Sequence, residues 1–182
     1  MFARTARLLL RPGWAEDAPA LARAIADETI VRNLANAPWP YGLAEAEAFL
    51  SAPKDPILPN LLLFARTDSA PQLVGACGLL RKRLSGSVVL GYWIAREHWG
   101  RGFATEAGRQ IIEIARTLGL ARLDTSYFAD NPASGRVLEK LGFRPTGLRA
   151  AEYSCARGRE VESILMRQHL AGAAADDGAL AA

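Results

Sequence analysis

The apolar positions along the chain follow two rhythms: short runs that suit strands, and spacings of three and four residues that suit helices. Arg7-Leu8-Leu9-Leu10-Arg11 is a short apolar run closed by Pro12-Gly13 and predicts a first strand. From Asp17 to Asp27, Ala18, Leu21, Ala22 and Ile25 share one helical face, with Pro19 tolerated near the start. A second short helix is expected over Glu28 to Leu34. The segment Asn36-Ala37-Pro38-Trp39-Pro40-Tyr41-Gly42 is too rich in Pro and Gly to prolong it and reads as a loop carrying aromatics. Helix resumes over Ala44 to Ser51, Pro53, Pro56 and Pro59 mark a connection, and the Leu-rich segment Asn60 to Thr67 reads as a strand.

Asp68 to Pro71 reads as a turn, after which Gln72 to Arg81 and Val88 to Ala95 form a meander around the polar turn Arg83 to Ser87. The next helix runs to about Leu118, with Ala107, Ile111, Ile114 and Leu118 on one stripe and Gly119 at its end. Arg122 to Ala129 follows as a strand. Because the helix between is a crossover, this strand should lie parallel to Val88–Ala95, with any ligand beyond the carboxyl ends of the two. Asn131-Pro132-Ala133-Ser134 opens another helix, with Asn as N-cap, Pro in the first turn, Val137, Leu138 and Leu141 inward and Gly142 closing it. A hairpin of about Leu148 to Cys155 and Arg159 to Arg167 turns at Gly158. Ala171 to Ala182, a run of mostly small residues, is expected to be a mobile tail. No internal repeat is evident.

Composition narrows the class. With 182 residues, half of them apolar, one domain buries a sizeable core and a second is not expected. No apolar run approaches the roughly 18 residues of a membrane span and no signal segment opens the chain, so a cytoplasmic protein without membrane contact is expected. Cys77 and Cys155 lack ligand-like spacing and read as free thiols, Cys77 as a packing residue in Val-Gly-Ala-Cys-Gly. Two histidines, His98 and His169, are too few for a His-based metal cluster, so no metal is expected. The net charge of +3 is spread along the chain, which does not indicate nucleic-acid binding.

The chemistry concentrates at Trp99-Gly100-Arg101-Gly102-Phe103-Ala104-Thr105-Glu106-Ala107, which joins a strand to a helix. Glycines allow a tight turn and close approach, the first N–H groups of the helix have no intrahelical acceptor, and the helix dipole favours negative charge, so phosphate is the natural occupant. Arg101 adds a cation. The stretch matches neither a nucleotide P-loop nor a G-x-G-x-x-G site, which disfavours ATP and NAD.

Tyr92-Trp93-Ile94 followed by that stretch resembles the acyl-CoA-binding motif of the GNAT acetyltransferases, in particular the branch acting on ribosomal-protein N-termini. The family pattern Gln/Arg-x-x-Gly-x-Gly/Ala is met by Gly102 and Ala104, with Trp99 in the first place. Because the family grips pyrophosphate through backbone N–H groups, that departure leaves the donors in place. Asn131-x-x-Ser134 before Leu138-Glu139-Lys140-Leu141-Gly142-Phe143 is a second match, and looser ones extend the resemblance over residues 5 to 170. The resemblance implies a GNAT-like α/β fold with a mixed, splayed sheet of about seven strands flanked by helices. It further implies acetyl-CoA bound by Tyr92, Trp93, Ile94, Trp99, Gly100, Arg101, Gly102, Phe103, Ala104, Thr105, Asn131 and Ser134, with the pantetheine arm pairing along Tyr92-Trp93-Ile94.

The implied reaction is direct attack of an amine on the acetyl thioester. Ser134 is the candidate proton donor to the departing thiolate, and Glu28, Glu162 and Tyr92 are alternatives for a base acting directly or through water. An α-amine titrates at about 7.7–8.0 against about 10.4 for lysine, so an N-terminal acceptor needs little base assistance. Trp39 and Tyr41 either line the acceptor pocket or anchor the core. A protein N-terminal α-amine and a small-molecule amine both remain as acceptors, a non-catalytic acyl-CoA sensor is the rival to an enzyme, and monomer and homodimer are both open.

Overall fold

The computed structural model describes residues 1–67, 70–82 and 85–170. The turn expected over 68–71 and the one over 83–87 fall partly outside these residues, and the tail expected over 171–182 wholly so. The elements are β1 (Ala3–Arg4), β2 (Leu8–Arg11), α1 (Ala18–Ile25), α2 (Glu28–Val31), α3 (Leu43–Ser51), β3 (Asn60–Ala65), β4 (Gln72–Arg81), β5 (Val88–Ile94), α4 (Phe103–Thr117), β6 (Arg122–Phe128), α5 (Pro132–Lys140), β7 (Arg144–Ser154) and β8 (Arg159–His169). The strands form one sheet in the order β1-β2-β3-β4-β5-β6-β8-β7. Every neighbouring pair is antiparallel except β5 and β6, which run parallel as the crossover through α4 requires.

That parallel pair registers at a single position, Val89 opposite Asp124. Beyond it the strands diverge, so the sheet is two ladders hinged at one point. Helices α4 and α5 cover one face over Leu90, Ile94, Ile111, Leu123, Leu138 and Phe143. Helices α1, α2 and α3 cover the other over Leu21, Ile25, Val31, Leu62 and Phe64. Strand β3 serves both layers, which is why Leu61, Leu62, Leu63 and Phe64 form an unbroken apolar run.

Eight strands stand where about seven are expected, because the two-residue β1 has no hydrophobic signature of its own and forms only by pairing with Leu9 and Leu10. Strand β7 begins at Arg144 rather than Leu148. Pro145 and Gly147 look like loop, yet on an edge strand the missing proline N–H costs no ladder bond, and a register shift between Pro145 and Arg149 accommodates Gly147 at φ +82°. On α4 the buried stripe runs through Phe103, Ala107, Ile111 and Ala115, while Ile114 and Leu118 pack at its margin. Helix α2 stops at Val31, three residues short of the expected Leu34. Among the described residues no helix is long and apolar enough to cross a membrane, and no three His, Cys, Asp or Glu side chains are grouped to hold a metal.

Candidate active site

The site begins with what strand pairing leaves over. Ala95 N–H donates to Val74 C=O at 2.9 Å. The two-residue alternation of an antiparallel ladder therefore turns the main-chain groups of Leu90, Tyr92 and Ile94 away from β4, toward the splay. At the hinge, the buried Thr125 Oγ1 donates to Leu90 C=O at 2.9 Å. At the far end the Trp99 indole Nε1 donates to Ile94 C=O at 2.7 Å. Between these ties the main chain of Tyr92 faces a gap that no strand fills, an edge suited to an extended amide-bearing arm.

Beyond β5, a short 3-10 turn at Arg96–His98 leads into the glycine turn. Gly100 and Gly102 take left-handed φ of +73° and +79°, and a Cβ on Gly100 would meet nothing within 4 Å. Gly102 is the N-cap of α4 and provides no capping side chain, so the N–H groups of Phe103, Ala104 and Thr105 point out of the helix unsatisfied by it. A 15-residue helix that begins with three such donors suits an anion at that end.

Two arginines flank these donors. Arg101 donates to His98 Nδ1 at 3.0 Å and lies over the Phe103 ring at 5.3 Å. Since a guanidinium only donates, Nδ1 is the acceptor and the neutral imidazole carries its hydrogen on Nε2. Burial lowers the His98 pKa and Arg101 lowers it further, against the opposing pull of Glu97. The second cation, Arg7, is one that sequence reasoning missed. It lies over the same ring at 4.8 Å, donates to Arg101 C=O at 2.9 Å and pairs with Glu106 at 2.6 Å. Glu106 also accepts from Thr5 Oγ1 at 2.6 Å; burial raises its pKa, but the bonds from Thr5 and Arg7 outweigh burial and hold it below the usual carboxylate range. Glu106 thus holds the N-terminal segment against the glycine turn.

The start of α5 lies across the splay from Tyr92. Asn131 caps α5 by accepting the Ser134 N–H at 3.3 Å. Helices α4 and α5 approach closely enough that a Cβ on Gly108 would meet Leu141 at 2.5 Å. Across the splay, the Tyr92 hydroxyl lies 2.7 Å from Ser134 Oγ and 3.3 Å from Ser134 C=O. Burial pushes the Tyr92 phenol up to about 12, against the smaller pull of Ser134, so it is neutral at physiological pH. A neutral phenol at that distance suits a proton donor toward Ser134 better than the base expected of Tyr92.

Neither of the other base candidates hydrogen-bonds to this pair among the described residues. Glu28 is exposed at the start of α2. Glu162 is exposed on β8 and ion-paired with Arg149 across the hairpin. A carboxylate not singled out by sequence bonds to the face of the sheet opposite α4 and α5. Glu152 accepts from Ser126 Oγ at 2.6 Å and sits 3.4 Å from Lys82 Nζ. Ser126 is two residues beyond Asp124 and so shares a face with Val89 and Gly91. Burial raises the Glu152 pKa, but the bond from Ser126 and the charge of Lys82 outweigh it, leaving an anion. An acidic residue within a strand gave no signal for this; only the register of β6, β8 and β7 does.

On that face, between β4–β5 and the layer of α1, α3 and the aromatic loop, lies a cavity of about 580 Å³. Gly91, Tyr92 and Trp93 line it, so it opens on the splay. Tyr41 is buried in its wall, whereas Trp39 is 41% exposed and takes no part in the lining. Burial and the neighbouring Glu45 push the Tyr41 phenol up to about 12. Cys77 is buried in the floor with its thiol pushed up to about 12 by burial, which keeps it un-ionised.

One buried side chain ties the cavity loop to the α5 start. Arg157, in the β7–β8 turn, donates to Arg32 C=O at 2.8 Å, to Asn33 Oδ1 at 3.3 Å and to both oxygens of Asp130 at 2.6 and 3.0 Å. Cys155 N–H adds a bond to Ala35 C=O at 2.9 Å. The segment preceding the cavity loop and the residue before Asn131 thus share one clamp.

Known proteins share this architecture. The chain is 28% identical over 176 residues to the uncharacterized N-acetyltransferase p20 of Bacillus licheniformis, covering 91% of this chain and 96% of that one. Its structure superposes with a TM-score of 0.76 and 17% identity on RimL, a ribosomal L7/L12 α-N-protein acetyltransferase in complex with coenzyme A, covering 93% and 98% of the two chains. It superposes with a TM-score of 0.73 and 19% identity on a Vibrio cholerae spermidine N-acetyltransferase in complex with CoA and spermine, covering 91% and 97%. The family model of the acetyltransferase (GNAT) domain matches residues 7–144, so that with a splayed parallel pair, an uncapped glycine turn and an acetyltransferase relative spanning nearly the whole chain, this protein is an acyltransferase of the GNAT family.

Proposed function

We propose that the protein transfers the acetyl group of acetyl-CoA to a primary amine by direct attack on the thioester. The observation that carries this reading is the Tyr92–Ser134 hydroxyl pair, which bridges the splay at 2.7 Å between the anion-binding helix start and the acceptor-side cavity. The residues present fit the co-substrate: the N–H groups of Phe103, Ala104 and Thr105 with Arg101 and Arg7 suit a pyrophosphate, and the free edge at Tyr92 suits the pantetheine amides. Bound coenzyme A in two structural neighbours supports the same choice.

Acetyl-CoA supplies an activated acyl group on a sulfur leaving group. The chain's own part is orientation, water exclusion and proton handling. Ser134 Oγ is placed to donate to the departing thiolate, a group with an ordinary pKa of about 8.5, and the neutral Tyr92 hydroxyl replenishes it along the 2.7 Å contact. The anionic Glu152 is available on the acceptor face to take the proton released by the amine, through water. An N-terminal α-amine needs the least such help.

Purified protein given acetyl-CoA and a panel of amines should release free CoA, read with a thiol reagent, together with one acetylated product per thiol. Binding of acetyl-CoA with no thiol release from any amine would refute the enzymatic reading.

A further inference from the structure

The cavity's lining is predominantly apolar and carries little charge. Its walls come from Leu21 and Ile25 of α1, Phe49 of α3 and Trp93 of β5. Among the described lining residues Glu45 is the only carboxylate, and no arginine, lysine or histidine accompanies it. Glu45 Oε2 accepts the Gly42 N–H at 2.8 Å, while Oε1 has no hydrogen-bond partner among the described residues. The three other titratable side chains, Tyr41, Cys77 and Tyr92, are neutral, each pushed up to about 12 chiefly by burial.

We infer that the acceptor is a primary monoamine with a hydrophobic body and no anionic group, held with its body in this cavity and its nitrogen toward Tyr92. The inference rests on the N-acetyltransferase reading and adds the substrate class to it. A space of about 580 Å³ lies within the range of small-molecule sites and is left largely empty by a methyl or hydroxymethyl side chain. An amine with several positive charges would desolvate them against apolar walls with one carboxylate to answer them. A free carboxylate would be taken into an apolar space beside Glu45, like charge against like. Two sources present the required chemistry: an arylalkylamine, and a peptide whose first side chain is large and apolar.

The floor provides a clean probe. Gly91 is exposed to the cavity, sits in a strand at an ordinary φ, and a Cβ there meets nothing within 4 Å. Its main-chain groups belong to the β4 ladder rather than to the splay, so Gly91→Leu fills acceptor space without touching the edge at Tyr92.

The experiment measures kcat/KM for phenethylamine, a phenylalanine-first peptide amide, an alanine-first peptide amide, spermidine and free phenylalanine, and titrates phenethylamine into the CoA-loaded protein by calorimetry. The two hydrophobic monoamines should each exceed the other three by roughly tenfold or more, and their ranking identifies the source. Gly91→Leu should remove turnover and binding of both while CoA affinity and the unfolding temperature stay near those of the parent. Glu45→Gln, which still accepts the Gly42 N–H, should narrow the gap between phenethylamine and free phenylalanine. Spermidine, free phenylalanine or the alanine-first peptide matching the hydrophobic monoamines would overturn the inference, as would a Gly91→Leu protein with parental acceptor kinetics or phenethylamine that neither binds nor reacts. Phenethylamine that binds and is blocked by Gly91→Leu, with no thiol released from any of the five amines, would leave the pocket assignment standing and refute the enzymatic reading instead, whereas turnover of another amine but not of phenethylamine would overturn the inference.

Discussion

Replacing Ser134 by alanine separates a proton donor from a residue that merely starts a helix. The substitution removes Oγ and its 2.7 Å contact with the Tyr92 hydroxyl, but little else. The Asn131 cap survives because it uses the Ser134 main-chain N–H, and the Tyr92 hydroxyl keeps the Ser134 carbonyl as an acceptor at 3.3 Å. No buried donor is orphaned, so the cost to the fold is one ordinary hydrogen bond, about 0.5–1.5 kcal/mol. For a chain of this length that lowers the melting temperature by about 1–6 °C. The catalytic cost is of another size: loss of a positioned proton donor lowers kcat by roughly 10²-fold, with CoA affinity unchanged because the glycine turn and strand edge are intact. Scanning calorimetry, titration of CoA and steady-state thiol release read the three quantities on one sample. Turnover within about twofold of the parent, with the small thermal shift present, would refute the assignment and return Ser134 to α5 as a structural residue.

Gly102→Glu places a side chain where φ is +79°, costing about 1–2 kcal/mol of fold stability, and adds a negative charge beside the orphan N–H groups, so CoA binding by calorimetry should be lost in a protein that still unfolds cooperatively. Arg157→Ala should raise the acceptor KM several-fold while leaving CoA affinity unchanged, and should speed hydrogen exchange over 32–35, because the clamp that goes holds the cavity loop and not the glycine turn. The hydrogen bond and charge of Arg157 hold the Asp130 carboxyl below its ordinary value, so the pair contributes stability above the unfolded-state pKa of about 3.9 and loses it as pH falls through the lower folded value; the drop in urea midpoint between pH 7 and pH 3 should be smaller in Asp130→Asn than in the parent.

What sequence made legible was whatever local physics decides. Strand Gln72–Arg81 is read to the residue because its apolar run ends at charged and polar turn residues on both sides. The glycine turn and the Asn131 cap are read because backbone conformation and side-chain capping act within four residues. The parallel course of β5 and β6 follows from the length of the crossover. What stayed hidden was set by contacts distant in sequence. Arg7 reaches the Arg101 carbonyl across 94 positions, and Arg157 reaches Arg32 across 125. Glu152 meets Ser126 only through the pairing of β8 with both β6 and β7. The choice between Trp39 and Tyr41 was equally out of reach, since both are aromatics in one Pro-rich loop and only packing on Glu45 and α1 decides which turns inward.

The single register pair at the hinge of the sheet makes the ligand a member of the fold. A sheet ordinarily keeps its halves together by a continuous ladder, whereas here the central seam is closed by Val89 and Asp124, by one threonine hydroxyl and by helices packed across it. An extended arm bonded along Tyr92 stitches that seam as a strand would, and a ligand that binds only the folded chain stabilises it by mass action, about 2.7 kcal/mol at a hundredfold excess over its dissociation constant. A co-substrate taken up along Tyr92 would therefore add to the join between the two half-sheets as well as fill the site, so that occupancy and thermal stability should rise together.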